Sequence, residues 1–130
     1  MNLVFIFILF LPSLTWAAFV NACHIEGNFV HKGKVISNSD CVQRSGANLA
    51  ELKEICKSFS EMPKSLGVPA SRVKYIESCP EKWQGKCLNS AGLKLDYYYY
   101  KKTPTSLKEV VMTCMITGGR WVKSDWSLFK

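Results

Sequence analysis

The chain carries six cysteines (Cys23, Cys41, Cys56, Cys79, Cys87 and Cys114) and two histidines, His24 and His31, in 130 residues. These side chains set the chemistry open to it. All six cysteines follow an apolar leader, and an even count in that context reads as three disulfides formed in an oxidising compartment. Zinc would need Cys or His pairs at ligand spacing; the sequence has no C-x2-C pair, and His24 and His31 lie seven residues apart. No metal and no cofactor is expected. A Cys–His nucleophile would require an unpaired thiol to survive secretion.

Hydrolysis is the second chemistry to weigh. His24 and His31, with Asp40 further on, could supply a general base; Asp96 and Asp125 could form an acidic pair of the glycosidase kind. A pancreatic-type ribonuclease would match the size, basicity and two histidines, but it keeps one histidine near each end, and here both are N-terminal. A c-type lysozyme would need eight cysteines. No phosphate loop, G-x-S-x-G elbow or H-E-x-x-H motif is present. An enzyme is therefore the less favoured class.

Binding is the third. Seventeen Lys and Arg against ten Asp and Glu give a net charge of +7, all of it after residue 17. Such a surface suits an anionic envelope component or a protein partner. Tyr98 and Tyr100 beside Lys101 and Lys102 form the candidate binding surface, a cluster of cations and aromatic rings. The charges are scattered, so no specific nucleic-acid surface is expected. The apolar tail Trp126-Ser127-Leu128-Phe129 should dock on the domain.

The elements that position these residues follow from pattern. Asn48 is an N-cap with Glu51 completing a capping box, and Leu49, Leu52, Ile55, Cys56 and Phe59 make one apolar stripe, so a helix is predicted to Phe59. A second helix is predicted over 106–116, capped by Ser106 and Glu109, with Leu107, Val110, Val111, Cys114 and Met115 buried and Gly118 as its stop. Extended segments are predicted at 27–36, 72–78, 93–100 and 120–123, and a loop over 58–71. In Leu93–Tyr100 the alternation places Leu93, Leu95, Tyr97 and Tyr99 on one face and Lys94, Asp96, Tyr98 and Tyr100 on the other.

The fold class is α+β: a small antiparallel sheet with two helices packed on one face, stapled by three disulfides. Each half reads as a cysteine, a hairpin, then a capped helix with a cysteine, the pattern of two degenerate half-repeats. Six cysteines allow fifteen pairings. If the sheet forms as described, Cys87 on a strand can meet Cys114 on the following helix; by duplication Cys23 would meet Cys56, leaving Cys41 with Cys79.

Residues 1–17 read as a signal peptide, with the apolar run Leu3–Leu11 and small residues at Thr15 and Ala17, followed by one domain over 18–130. An uncleaved anchor is the rival reading, since no Lys or Arg precedes the run. A third is a lipid on Cys23, because Val20-Asn21-Ala22-Cys23 loosely resembles a bacterial lipobox. After cleavage no transmembrane segment is expected.

Cys79-Pro80, Gly85-x-Cys87, Tyr97-Tyr98-Tyr99, Cys114 and Gly118-Gly119-x-Trp121, in that order, resemble a pattern recurring in small, mostly uncharacterised exported bacterial proteins. The match covers residues 79–121. It implies a secreted or periplasmic setting and a Cys87–Cys114 bridge, and it carries no catalytic residue. The expected function is a non-enzymatic binding or structural module of the envelope or medium. The alternatives are a small secreted hydrolase using His24, His31 or an acidic pair, and a toxin or inhibitor that binds one protein.

Overall fold

A computed structural model describes residues 19–124, with only the backbone described at Phe29 and His31. Residues 1–18, which include the expected signal peptide, and the tail from Asp125, with Trp126–Phe129, lie outside the described residues.

Two long strands open the domain. β1 (Ala22–His31) and β2 (Lys34–Arg44) form an antiparallel hairpin. Lys32 (φ 50°) and Gly33 (φ 75°) turn it, both left-handed as a two-residue type I′ turn requires. The predicted strand over 27–36 is thus the outer part of a hairpin folded on itself. After α1 (Leu49–Glu61) and a 3-10 turn, β3 (Arg72–Ile76) returns to pair with β1. Helix and turn occupy much of the segment expected to be loop.

The second half repeats this order. β4 (Gly85–Leu88) and β5 (Leu95–Tyr99) form a hairpin, α2 (Pro104–Ile116) follows, and β6 (Arg120–Lys123) pairs with β4. The antiparallel sheet has the order β3-β1-β2-β5-β4-β6. Read outward from its centre, β2-β1-β3 mirrors β5-β4-β6. Each half is ββαβ, and the halves join where Val42 faces Tyr97. Cys23 pairs with Val42 and Tyr75; Cys87 pairs with Tyr97 and Trp121. The two cysteines therefore hold matching positions about a pseudo-twofold axis.

Directly paired residues point to one side of a sheet. Cys23, Val42, Tyr97 and Cys87 thus share a face, and from it the bridges Cys23–Cys56 and Cys87–Cys114 leave to α1 and α2. Both helices pack on that face, as the sequence pattern predicts. Cys41 points to the other face and bridges to Cys79, pinning segment 77–84 across it. No free cysteine remains among the described residues.

The core splits accordingly. Under α1, Cys23, Ile25, Val42, Ala47, Leu52, Cys56 and Leu95 are buried together. On the opposite face Ala22, Cys41, Cys79 and Tyr98 are buried, with Ile76, Trp83 and Tyr100 packed on them.

The α1 cap forms as predicted: Glu51 donates its amide to the Asn48 side chain at 2.8 Å, and the Asn48 amide donates to Glu51 at 3.3 Å. At α2 the expectation is corrected. The cap is Thr103, whose Oγ1 accepts the Ser106 amide at 3.2 Å, because Pro104 at the first helical position presets φ and needs no amide partner. Met115, expected in the buried stripe, is 65% exposed: α2 is fully buried only at Cys114, and its other apolar residues are partly covered or free. Gly118 (φ 82°) stops the helix as expected.

Candidate functional site

The predicted surface of Tyr98, Tyr100, Lys101 and Lys102 is divided by the fold. Tyr98 is only 9% exposed, because the segment held by Cys79 covers its face. Its ring meets Trp83 edge-on at 6.1 Å, and Lys86 sits over both rings, 4.7 Å from Trp83 and 5.4 Å from Tyr98. Tyr100 is half-buried and donates its hydroxyl to the Pro80 carbonyl at 2.7 Å. Burial pushes the phenols of Tyr97, Tyr98, Tyr99 and Tyr100 above the ordinary tyrosine value. These four rings are packing groups with satisfied or covered edges.

Lys102 turns to the helix face. Its Nζ donates to Asp40 Oδ2 at 3.0 Å and to Asn38 Oδ1 at 2.9 Å, and lies 5.6 Å from the Tyr99 ring. Tyr99 stacks on Trp121 at 5.8 Å. Burial pushes the Asp40 carboxyl above its usual value, and Lys102 offsets part of that shift. Asp40 is therefore part of an internal ion pair, which fixes the start of the α2 segment.

Lys101 remains exposed and has a different setting. It borders a groove of about 320 Å³ lined also by Glu26, Gly27, Asn28, Asn38, Ser71 and Arg72. That volume is at the low end for small-molecule sites. Gly27 is part of the lining, and a Cβ there would come within 2.6 Å of Ser71 Oγ, so a larger residue would displace the wall. Three elements assemble the groove: the β1–β2 hairpin, the segment entering β3, and the turn after β5. Arg72 and Lys101 supply positive charge; Asn28, Asn38 and Ser71 supply neutral donors and acceptors. Glu26 is also engaged by His24 Nδ1 at 3.2 Å. A second, larger groove of about 650 Å³ lies at the far end of the sheet between the start of α1 and the β4–β5 loop. Its Glu51 is committed to the α1 cap.

His24 gives the closest approach to a catalytic arrangement. Its ring lies between Glu26 (Nδ1 to Oε1, 3.2 Å) and Ser39 (Nε2 to Oγ, 2.8 Å), an acid–His–Ser chain drawn from the two strands of one hairpin. Ser39 is 4% exposed in mid-strand, and Tyr100 packs against the imidazole at 5.5 Å. A nucleophile must reach its substrate, and this hydroxyl has little access. His31 ends β1, paired with Lys34 at the hairpin tip. Seven residues of extended strand put it about 23 Å from His24, so the two histidines do not share a site. Asp96 accepts the Asn89 amide at 2.9 Å in the β4–β5 loop, and its suggested partner Asp125 lies outside the described residues. Among the described residues no group of three His, Cys, Asp or Glu side chains could hold a metal, and no helix is long and apolar enough to cross a membrane.

Sequence reasoning placed Lys101 at a binding surface and missed Arg72, Asn28, Asn38 and Ser71. These four are polar residues on three segments, β1, β2 and the Ser71–Arg72 entry to β3, and only the strand pairing brings them together.

The three disulfides mark a small disulfide-rich domain suited to a non-cytoplasmic setting. No family model, curated protein or solved structure matches the chain.

Proposed function

We propose that the protein is a non-enzymatic binding module, exported to the periplasm or medium of a bacterium, that takes an acidic, hydroxyl-rich glycan in the groove above Gly27. The observation that carries this reading is the joining of Arg72 and Lys101 with Asn28, Asn38 and Ser71 around one open groove. Cations answer carboxylate or sulfate groups, and the amides and hydroxyl answer sugar hydroxyls. The net charge of +7 adds long-range attraction for such polyanions. The leader and the resemblance over residues 79–121 support the bacterial, exported setting.

The test is calorimetric titration of the oxidised protein with a heparin tetrasaccharide as probe, and with maltotetraose as the neutral control. The expected result is binding of the acidic sugar alone, weakened about tenfold or more by Arg72→Ala with Lys101→Ala, at unchanged melting temperature. Equal binding of both sugars, or no loss in the double variant, would overturn the reading.

The Glu26–His24–Ser39 chain favours a second reading, a small hydrolase. Ester turnover that disappears in Ser39→Ala while the fold persists would establish it in place of the first.

A further inference from the structure

We infer that the outer end of the β1–β2 hairpin is an interfacial anchor for anionic lipid surfaces, distinct from the groove. β3 leaves β1 at the Glu26–Arg72 pair, and β5 leaves β2 at the Asp40–Tyr99 pair. Between them Asn28–Ser37 continue as a two-stranded ribbon that reaches about 15 Å past the sheet. A ribbon standing in water is normally polar on both sides. Here Val30 and Val35 form a directly opposed pair and are 61% and 71% exposed, and Ile36, on the other side, is 39% exposed.

Charge identifies the partner. From Gly27 to Ser39 the sequence has no Asp or Glu, and Lys32 in the turn and Lys34 just after it are both exposed. The 3-10 turn after α1 leads into Arg72 at the same end of the sheet, and it exposes Met62 and Leu66 (59% and 62%) on either side of Lys64. Apolar side chains among lysines, on a thin two-stranded projection, match a plane of anionic head groups over acyl chains. Valines can enter the head-group boundary while the lysine stems carry their ammonium groups back to the phosphates. Among the described residues the outer edges of the ribbon have no neighbouring strand, so their backbone groups need water, which limits the anchor to shallow insertion. A protein partner would instead be expected to use one edge or one face.

Co-sedimentation of the oxidised protein with vesicles tests this. The probes are phosphatidylcholine vesicles and the same vesicles containing phosphatidylglycerol. Binding is expected only with phosphatidylglycerol, reduced but not abolished by salt. Val30→Asn with Val35→Asn should weaken it on the order of a hundredfold, about tenfold per valine. Lys32→Ser with Lys34→Ser should weaken it about thirtyfold. Both pairs are exposed, so the thermal melt should hold; Val35→Trp should strengthen binding and shift its emission to the blue on phosphatidylglycerol vesicles. Absence of binding to phosphatidylglycerol vesicles, or binding indifferent to the valines, would overturn the proposal, as would retention by an envelope protein without vesicle binding. Neither valine touches the groove, so heparin binding should be unchanged in the valine variant. Failure of one proposal therefore leaves the other standing.

Discussion

Removing the Cys87–Cys114 bridge as Cys87→Ala with Cys114→Ala should release α2 while leaving α1 in place. The bridge spans 27 residues, and closing that loop is worth about 3.6 kcal/mol in the chain-entropy account. The Cys23–Cys56 bridge spans 33 residues and by the same account is worth about 3.8 kcal/mol. Loop closure alone would make the two bridges equivalent; the packing does not. α1 buries Leu52 and Cys56 fully and rests Leu49 and Ile55 on the core. α2 buries Cys114, half-buries Leu107, Val110 and Val111, and leaves Met112, Met115 and Ile116 exposed. Without its bridge α2 has little to hold it. Native-state hydrogen exchange is the assay. A loss of about 3.6 kcal/mol corresponds to roughly a four-hundredfold fall in protection, confined to α2 and β6. The matching variant Cys23→Ala with Cys56→Ala should instead lower protection across the whole sheet. If α2 amides stay as protected as those of α1 in the first variant, the helix is held by contacts other than the bridge and the reasoning fails.

Three further outcomes follow from the packing and the charges. Gly85→Ala should cost about 1–3 kcal/mol in denaturant unfolding, since its Cβ would overlap the Trp121 ring and disturb the stack on Tyr99; a change below about 0.5 kcal/mol would contradict it. Lys102→Ala should cost about 1–3 kcal/mol at neutral pH by stranding the Asp40 carboxylate. Because the Asp40 pKa is already raised, that cost should shrink as acid protonates the carboxyl, and a pH-independent cost in equilibrium unfolding would refute the pairing. The four raised phenols bind protons more tightly folded than unfolded, so stability should fall as pH rises past about 10, where unfolded tyrosines ionise. Absorbance at alkaline pH should show these four ionising together with unfolding; ionisation within an intact fold would count against their burial.

Much of the architecture was legible in the sequence because strong local signals agreed with it. The Asn48–Glu51 box, the Leu49–Cys56 stripe and Gly118 each act within a turn or two of the chain, and the cysteine and hairpin spacing disclosed two related halves. The α2 cap was misread because Ser106 and Glu109 spell a capping box, while Pro104, immediately after a competing Thr103, carries the stronger conformational constraint. The alternation expected over Leu93–Tyr100 holds for the strand Leu95–Tyr99, while Leu93 and the left-handed Lys94 belong to the preceding turn and Leu93 is exposed; alternation also does not say whether the second face meets water. Segment 77–84 covers Tyr98, and that covering depends on Cys41 lying one residue out of phase with Val42. The groove was hardest to see. Gly27, Asn38, Ser71 and Lys101 meet only through the register of three strand pairings, which no local pattern encodes.

An amide chemical-shift map of the oxidised protein with heparin tetrasaccharide tests the groove most directly. The predicted result is a contiguous set of shifts at Gly27, Asn28, Asn38, Ser71, Arg72 and Lys101, lost in Arg72→Ala with Lys101→Ala. Shifts spread over lysines of every face, or centred on the Glu51–Lys94 groove, would contradict it.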